Sequence, residues 1–242
     1  YGCLTATFLI MGKICTRNCR FCNITGGIPE PLDINEPKNV ANAIEELNLK
    51  YVVITSTTRD DIPDGGAEHF KQTIDEIRKK SPSIKIEILT PDFLGNKNSF
   101  CTILKAKPDV FNHNMETVPR LYKIARPKAD YLRSLNLLSY IKENDPEIIT
   151  KTGIMVGLGE TKDEIIQTMK DILNSKADIL TIGQYIRPSK LHLKVDRYYK
   201  EEEFEELKNI ALELGFGGVV SAPLARSSYM AAETYNLVKN KN

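Results

Sequence analysis

The feature that most restricts how this 242-residue chain can fold is a regular alternation of short apolar runs with amphipathic ones. Runs rich in Ile, Val and Thr lie at 7–11, 51–55, 84–89, 109–112, 151–156, 179–184 and 218–221, the composition of parallel strands buried on both faces. Between most of them apolar residues recur at helical spacing: Val40, Ile44 and Leu47; Ala67, Phe70, Ile74 and Ile77; Ile165, Met169, Ile172 and Leu173; Phe204, Leu207, Ile210 and Leu214. Each stripe is expected to face the sheet. Thr161 and Glu164 form a T-x-x-E capping box that starts the third of these helices. Right-handed strand-helix-strand crossovers turn such a chain into one parallel sheet with outer helices. The expected fold is α/β, a partial (β/α)6 barrel of the TIM type, with residues 1–242 as a single domain. Reactive groups in such folds collect at the carboxyl ends of the strands.

One of those ends carries three cysteines. Cys15, Cys19 and Cys22 follow the first strand in a C-x3-C-x2-C run. Thiolates are soft ligands that select iron-sulfur clusters or zinc, and structural zinc sites close with four protein ligands. No fourth stands nearby. A four-iron cluster on three sulfurs leaves one iron open to a small molecule; zinc with a distant fourth ligand, or a buried thiol cluster, are the structural readings of the same residues. Cys101 falls in a helical stretch and reads as a small buried hydrophobe. Cys3 precedes the first strand and has no assigned role.

Basic and acidic residues nearly cancel, 33 against 32, which proposes neither nucleic acid nor an anionic membrane as partner. No apolar run approaches the ~20 residues that span a bilayer, and no leader sequence opens the chain. Five cysteines, three of them clustered, argue for a reducing compartment rather than a disulfide scaffold. The expectation is a soluble, cytoplasmic protein. The first residue is Tyr1 rather than Met, and a segment upstream of it is expected in the natural protein.

Three other stretches gather polar groups after strands. The loop from Thr55 and Ser56 to Gly66 is either a solvated turn or a place to bind a polar ligand beside the cysteines. Residues 112–116 bring together two amides, an imidazole and a carboxylate; here His113 as a satisfied core histidine and Glu116 as a helix-start carboxylate are the structural alternatives. Arg226, Ser227, Ser228 and Tyr229 follow the last strand, where by themselves they could be only a turn with a helix cap. Gly157 and Gly159 lack the G-x-G-x-x-G spacing of a dinucleotide-binding loop.

The cysteine spacing, with the aromatic Phe21 before the last cysteine, resembles that of radical S-adenosylmethionine (SAM) enzymes. The resemblance implies a [4Fe-4S] cluster on Cys15, Cys19 and Cys22 whose open iron binds SAM. It places the methionyl part of SAM near Thr55 and Ser56, and its ribose or amino group near Asn114 and Glu116. Residues 153–160 match a G-x-I-x-G-x-x-E stretch that lines the adenine, with Met155 in place of Ile and Gly157 as its second glycine.

Together with TATFLIMG at 5–12, DDIPDGG at 60–66, VFNHNME at 110–116, TIGQY at 181–185 and RSSY at 226–229, these motifs resemble the lipoyl synthases over nearly the whole chain. That family implies a sulfurtransferase acting at C6 and C8 of an octanoyl chain carried on a lysine of a lipoyl carrier protein or lipoyl domain. The implied sulfur source is a second, auxiliary [4Fe-4S] cluster held by an upstream C-x4-C-x5-C motif and a serine of R-S-S-Y. Here that serine is Ser227 or Ser228, with Ser228 preferred. Arg226 is implied as a gate at that cluster and the substrate. An electron donor such as flavodoxin or ferredoxin and a cluster-repair protein are implied partners. The chain departs from the family in one respect: counted back from Cys15, the last auxiliary cysteine falls just before Tyr1, and Cys3 stands where the family has no ligand, so the auxiliary ligand set is incomplete here. Another radical SAM sulfur-inserting or methylthiolating enzyme, and a non-catalytic zinc-binding domain, are the competing readings.

Overall fold

The strand-helix alternation becomes a half-open barrel in the computed structural model, which describes residues 4–240; Cys3 lies outside them. In chain order the elements are β1 (Thr5–Ile10), a two-residue ladder of β2 (Ile14–Cys15) and β3 (Thr25–Gly26), α1 (Glu36–Glu46), β4 (Tyr51–Ser56), α2 (Ala67–Lys80), β5 (Lys85–Leu89), α3 (Lys97–Ala106) and β6 (Val110–Asn112). There follow α4 (Tyr122–Ala125), α5 (Tyr131–Asn144), β7 (Ile149–Val156), α6 (Lys162–Asn174), β8 (Ile179–Gln184), α7 (Glu201–Leu214), β9 (Gly218–Ala222) and α8 (Ala231–Lys239). The main sheet has the order β1-β4-β5-β6-β7-β8-β9 with every pair parallel, so six helical crossovers join seven strands. That is the partial (β/α)6 barrel read from the sequence.

Side chains alternate along each strand, and the alternation sorts this barrel into layers. Val52, Ile54, Ile86, Ile88 and Phe111 point outward and pack with Phe70, Ile74, Ile77 and Ile103 of the first helices. Ile154, Val156, Leu180 and Ile182 do the same with Ile165, Met169, Phe204 and Leu207. The inward set forms a floor of Tyr51, Val53, Val110, Ile149 and Ile179, closed by Ala231, Tyr235 and Val238 of α8. Above the floor lie Glu87 and Lys151, charged yet buried and 3.1 Å apart. Tyr51 Oη donates to Glu87 at 2.7 Å and Asn112 Nδ2 at 2.9 Å, so the carboxylate is fully bonded.

The capping box of Thr161 and Glu164 forms as expected. Leu47 departs from its stripe: α1 ends at Glu46, and Leu47 is the capping residue, 57% exposed rather than turned to the sheet. Cys101 is half-buried on α3, its Sγ 3.4 Å from Tyr140 Oη on α5. Among the described residues no helix is long and apolar enough to cross a membrane.

Candidate active site

The cysteine loop is fixed before any ligand is considered. Between Cys15 and Cys19, Arg17 is buried; its Nε and Nη2 donate to both oxygens of Asp60, at 2.7 and 2.9 Å, and Nη2 also to Asp92 at 2.5 Å. Arg133 of α5 closes the other side of Asp92 at 2.7 Å. These cations hold the Asp92 carboxyl well below the usual carboxylate range despite its burial. The loop backbone is tied in as well: Thr16 N–H donates to the Thr58 carbonyl at 3.0 Å, Arg20 N–H to Ala125 at 2.8 Å, and Leu193 N–H to Arg20 at 3.0 Å. Cys15 Sγ accepts from the N–H groups of Thr58, at 3.3 Å, and Arg17, at 3.4 Å. Such N–H contacts are among the means by which proteins tune cluster sulfurs.

Cys15, Cys19 and Cys22 line one cavity of about 360 Å³ together with Thr55, Ser56, Asn114 and Glu116. Among the described residues no three of His, Cys, Asp and Glu converge on the position of a single ion. The thiols therefore edge a chamber rather than close on a point. Burial pushes the Cys19 thiol up to about 11, with the Arg126 guanidinium opposing it, and burial raises Cys22 as well. Loading a metal centre must release protons from these thiols.

A second cavity of about 170 Å³ is lined by Met155, Thr181, Arg226 and Ser227, and shares Asn114 and Glu116 with the first. Those two residues are the wall between the chambers. Glu116 takes a left-handed backbone, φ 67°, a strained conformation for a non-glycine residue. It is over-determined by its own hydrogen bonds: its N–H donates to Gly153 at 2.9 Å and its carbonyl accepts from Met155 N–H at 2.8 Å. The strain aims the carboxyl into the gap, where burial raises its pKa against Arg126, Asn114 and Arg226. Asn114 Nδ2 donates to Glu116 Oε1 at 3.2 Å and to Ser227 Oγ at 2.8 Å, joining the R-S-S-Y turn to the wall. From below, Lys151 Nζ donates to the Ser227 carbonyl at 2.5 Å. The turn can lie so close only because residue 183 is glycine, where a Cβ would stand 2.2 Å from the Ala225 carbonyl.

Gly157 lies outside both cavities. A Cβ there would overlap Gln184 Nε2 and the Arg197 carbonyl, so its evident task is the close strand-to-helix turn. Ser228 is half-buried and, among the described residues, its hydroxyl makes no hydrogen bond, whereas Ser227 Oγ is held by Asn114. Arg226 is exposed, its Nη1 donating to the Ala225 carbonyl at 2.6 Å. His113 is the satisfied core histidine, with Nδ1 2.8 Å from the Thr90 carbonyl and Nε2 3.0 Å from Ser134 Oγ. Most of the polar loop after β4 serves the scaffold: Asp60 pins Arg17, Asp61 pairs with Arg59 at 2.9 Å, and Asp64 accepts from the N–H groups that open α2.

Arg126 went unnoticed in the sequence. It is buried on the wall of the larger cavity, with Nη1 on the carbonyls of Asn114, 2.9 Å, and Met115, 3.1 Å, while its Nε has no partner among the described residues. Its one sequence signal is the i, i+4 spacing from Tyr122, whose ring its guanidinium covers at 5.3 Å.

Residues 9–172 match the Radical SAM superfamily. A lipoyl synthase of Caldanaerobacter subterraneus subsp. tengcongensis is 58% identical over 227 residues, which cover 94% of this chain and 80% of the relative. That of Alkaliphilus metalliredigens is 54% identical over 229 residues, 95% of this chain and 79% of its own. The chain belongs to the lipoyl synthase family. Among solved structures, Streptococcus suis SuiB bound to S-adenosylmethionine shares the fold with a TM-score of 0.70 at 14% identity, covering 95% of this chain and 52% of that one.

Lipoyl synthases, as radical SAM enzymes, imply a [4Fe-4S] cluster and SAM as cofactors. The residues present fit them. Of the eight buried side-chain polar atoms without a partner among the described residues, Ser56 Oγ, Thr90 Oγ1 and Arg126 Nε belong to residues lining the larger cavity and Thr181 Oγ1 to one lining the smaller. Buried polar groups are seldom left unpaired, and here half of them border the chambers that a ligand would fill.

Proposed function

We propose that this lipoyl synthase family chain inserts sulfur into a protein-bound octanoyl chain, with SAM seated across the Asn114–Glu116 wall and the cluster on Cys15, Cys19 and Cys22. The observation that carries the reading is the shared cavity: the three thiol-bearing residues line it together with Ser56, Thr90 and Arg126, whose Oγ, Oγ1 and Nε have no partner among the described residues. When bound, the two clusters would supply the electrons for reductive cleavage of SAM and the sulfur inserted at C6 and C8.

The chain's own residues bind and orient. Arg126 spends Nη1 on backbone carbonyls and keeps Nε for a carboxylate, the planar fork for which guanidinium suits better than ammonium. Ser56 offers an unpaired hydroxyl to the methionyl part. Glu116 and Asn114 face the ammonium and ribose, and a cation there stabilises the ionised carboxylate that burial alone disfavours. Met155 gives the smaller cavity an apolar wall for adenine. With Ser227 committed to Asn114, Ser228 is the serine free to ligate an auxiliary cluster completed by upstream cysteines, and Arg226 beside it gates that centre. Leu9, Leu89 and Phe21 line the larger chamber and limit water around a reactive radical.

The test is anaerobic incubation of the cluster-loaded full-length enzyme with SAM, a reductant and an octanoylated lipoyl domain. The expected products are a dithiolated domain and about two deoxyadenosines per lipoyl group. Deoxyadenosine without any thiolated domain, from enzyme carrying both clusters, would assign the barrel to different radical chemistry.

A further inference from the structure

The connection from β8 to α7, residues 185–200, has no regular secondary structure, and irregular loops of that length in compact domains are uncommon unless functional. Its tip is nonetheless ordered by its own bonds. Arg187 donates through Nε to the His192 carbonyl at 2.9 Å and through Nη2 to the Lys190 carbonyl. Leu191 N–H donates to Ser189 Oγ at 3.2 Å, and His192 N–H to the Ser189 carbonyl at 3.1 Å. His192 links this turn to the cysteine loop: a carbonyl only accepts, so Nε2 carries the proton donated to Cys22 at 3.0 Å, and Nδ1 accepts from Ser189 at 2.9 Å. The tip is therefore a rigid projection on the rim of the thiol cavity.

What it presents is unusual for a self-bonded turn. Leu191 at its apex is 96% exposed, and Ile186 and Pro188 beside it are also exposed. Residues 186–195 carry Arg187, Lys190 and Lys194 and no carboxylate, with Asp196 the first to follow. Among the described residues none of these cations makes an ion pair, nor does the exposed Arg20, whose carbonyl accepts from Leu193. Elsewhere the chain pairs its charges readily, as in Arg120 with Glu164 and Lys162 with Glu206. An apolar apex within a cationic rim, ordered in advance, has the anatomy of an interface centre.

The geometry points to residues 186–195 as the docking surface for a folded carrier domain whose face beside its acylated lysine is acidic. This rests on the reading of the substrate as an acyl chain borne on a protein. Uncompensated positive charge selects an acidic partner and speeds its approach, and Leu191 supplies the apolar anchor. A carrier held there delivers its acyl arm past Cys22 into the cavity without its own fold entering the barrel.

The test uses the cluster-loaded full-length enzyme, the double variant Lys190→Glu/Lys194→Glu and, separately, Leu191→Ser, each confirmed folded by circular dichroism. Two substrates are compared, an intact octanoylated lipoyl domain and a short octanoyl-lysyl peptide. For the intact domain the charge reversal raises KM at least about tenfold and Leu191→Ser several-fold, with kcat within about twofold. For the peptide KM is unchanged, and added salt raises the domain KM of the unaltered enzyme only. An unchanged domain KM overturns the inference. So does an equal rise for domain and peptide, which would place the loop's effect inside the cavity, and so does a dimer of the unaltered chain that the variants abolish. Failure of the unaltered enzyme to thiolate either substrate strikes the proposed function instead.

Discussion

The two sides of the barrel mouth are held in opposite ways. Beside β1, β4 and β5, the cysteine loop is locked by buried ion pairs made at its own level, Arg17 to Asp60 and Asp92, with Arg133 behind. Beside β8 and β9, the R-S-S-Y turn is held from beneath, by Lys151 reaching up from the barrel interior, and the neighbouring loops leave Leu191, Leu224 and Tyr229 exposed. Preorganisation matters most where charge and electrons are handled, because groups fixed in advance need not reorganise during the reaction. A side that must admit a chain borne on another protein needs exposed apolar surface around its opening, with rigidity confined to the self-bonded turn at 186–195. The asymmetry is a division of labour between a built site and an entry.

The severest test of the built side is removal of one thiol. Cys19→Ala abolishes SAM cleavage, because two thiolates hold a four-iron cluster poorly. Cys101→Ala, altering a thiol on α3 whose Sγ lies 3.4 Å from Tyr140 Oη, leaves cluster content and rate within about twofold. Iron analysis and deoxyadenosine release read both. A Cys19 variant that keeps its cluster would erase the distinction between the two sides.

Next in size is the buried ion-pair lock. Arg17→Met leaves the buried Asp92 and the partly buried Asp60 short of their cation, which costs about 3 kcal/mol, whereas Arg120→Met at the solvent-facing Glu164 pair costs clearly less. Urea unfolding of the cluster-free chains measures both, and equal losses would show that the lock is ordinary surface pairing. Lys151→Met sharpens the other side. It strands Glu87 inside the barrel at a cost of about 3 kcal/mol, part of which Glu87→Gln restores in the double variant. Because Lys151 also holds the Ser227 carbonyl, the double variant keeps SAM cleavage yet loses sulfur insertion relative to the parent.

These contrasts mark what could be read from the chain. The strands were legible because strands buried on both faces need unbroken apolar runs, and the cysteine motif because three ligands within eight residues must share one loop. The Arg17 lock was not legible: Asp60 is 43 residues away and Asp92 75, and only the topology brings them together. For the same lack of topology the loop holding Asp60 and Asp64 reads equally as a solvated turn or a ligand-binding loop, whereas one of them pins the cysteine loop and the other caps a helix. Glu87 and Lys151 did leave a trace, as charges interrupting apolar strands, a pattern that calls for burial with a partner. Arg126 left almost none, since a single arginine before a proline belongs to no motif.

The smallest effect concerns His113, which backs the wall between the chambers while being part of neither chemistry. Burial, helped by the nearby Arg126 cation, lowers its pKa to about 4. As pH falls below the ordinary histidine value of about 6.5, the unfolded chain takes up a proton that the folded chain refuses until about pH 4. Stability from this group is therefore complete above about pH 6.5, declines as pH drops toward 4, and by then has fallen by about 3 kcal/mol. Between pH 7 and pH 5.5 the expected loss is about 1 kcal/mol, a window in which most carboxylates stay ionised. Urea midpoints of the parent and of His113→Asn at those two pH values isolate the contribution, because the variant lacks the titrating ring and its midpoint should move less. Equal shifts in the two proteins would mean that the imidazole is open to protons in the folded state, and that the wall is not sealed behind His113 as its bonds to Thr90 and Ser134 require.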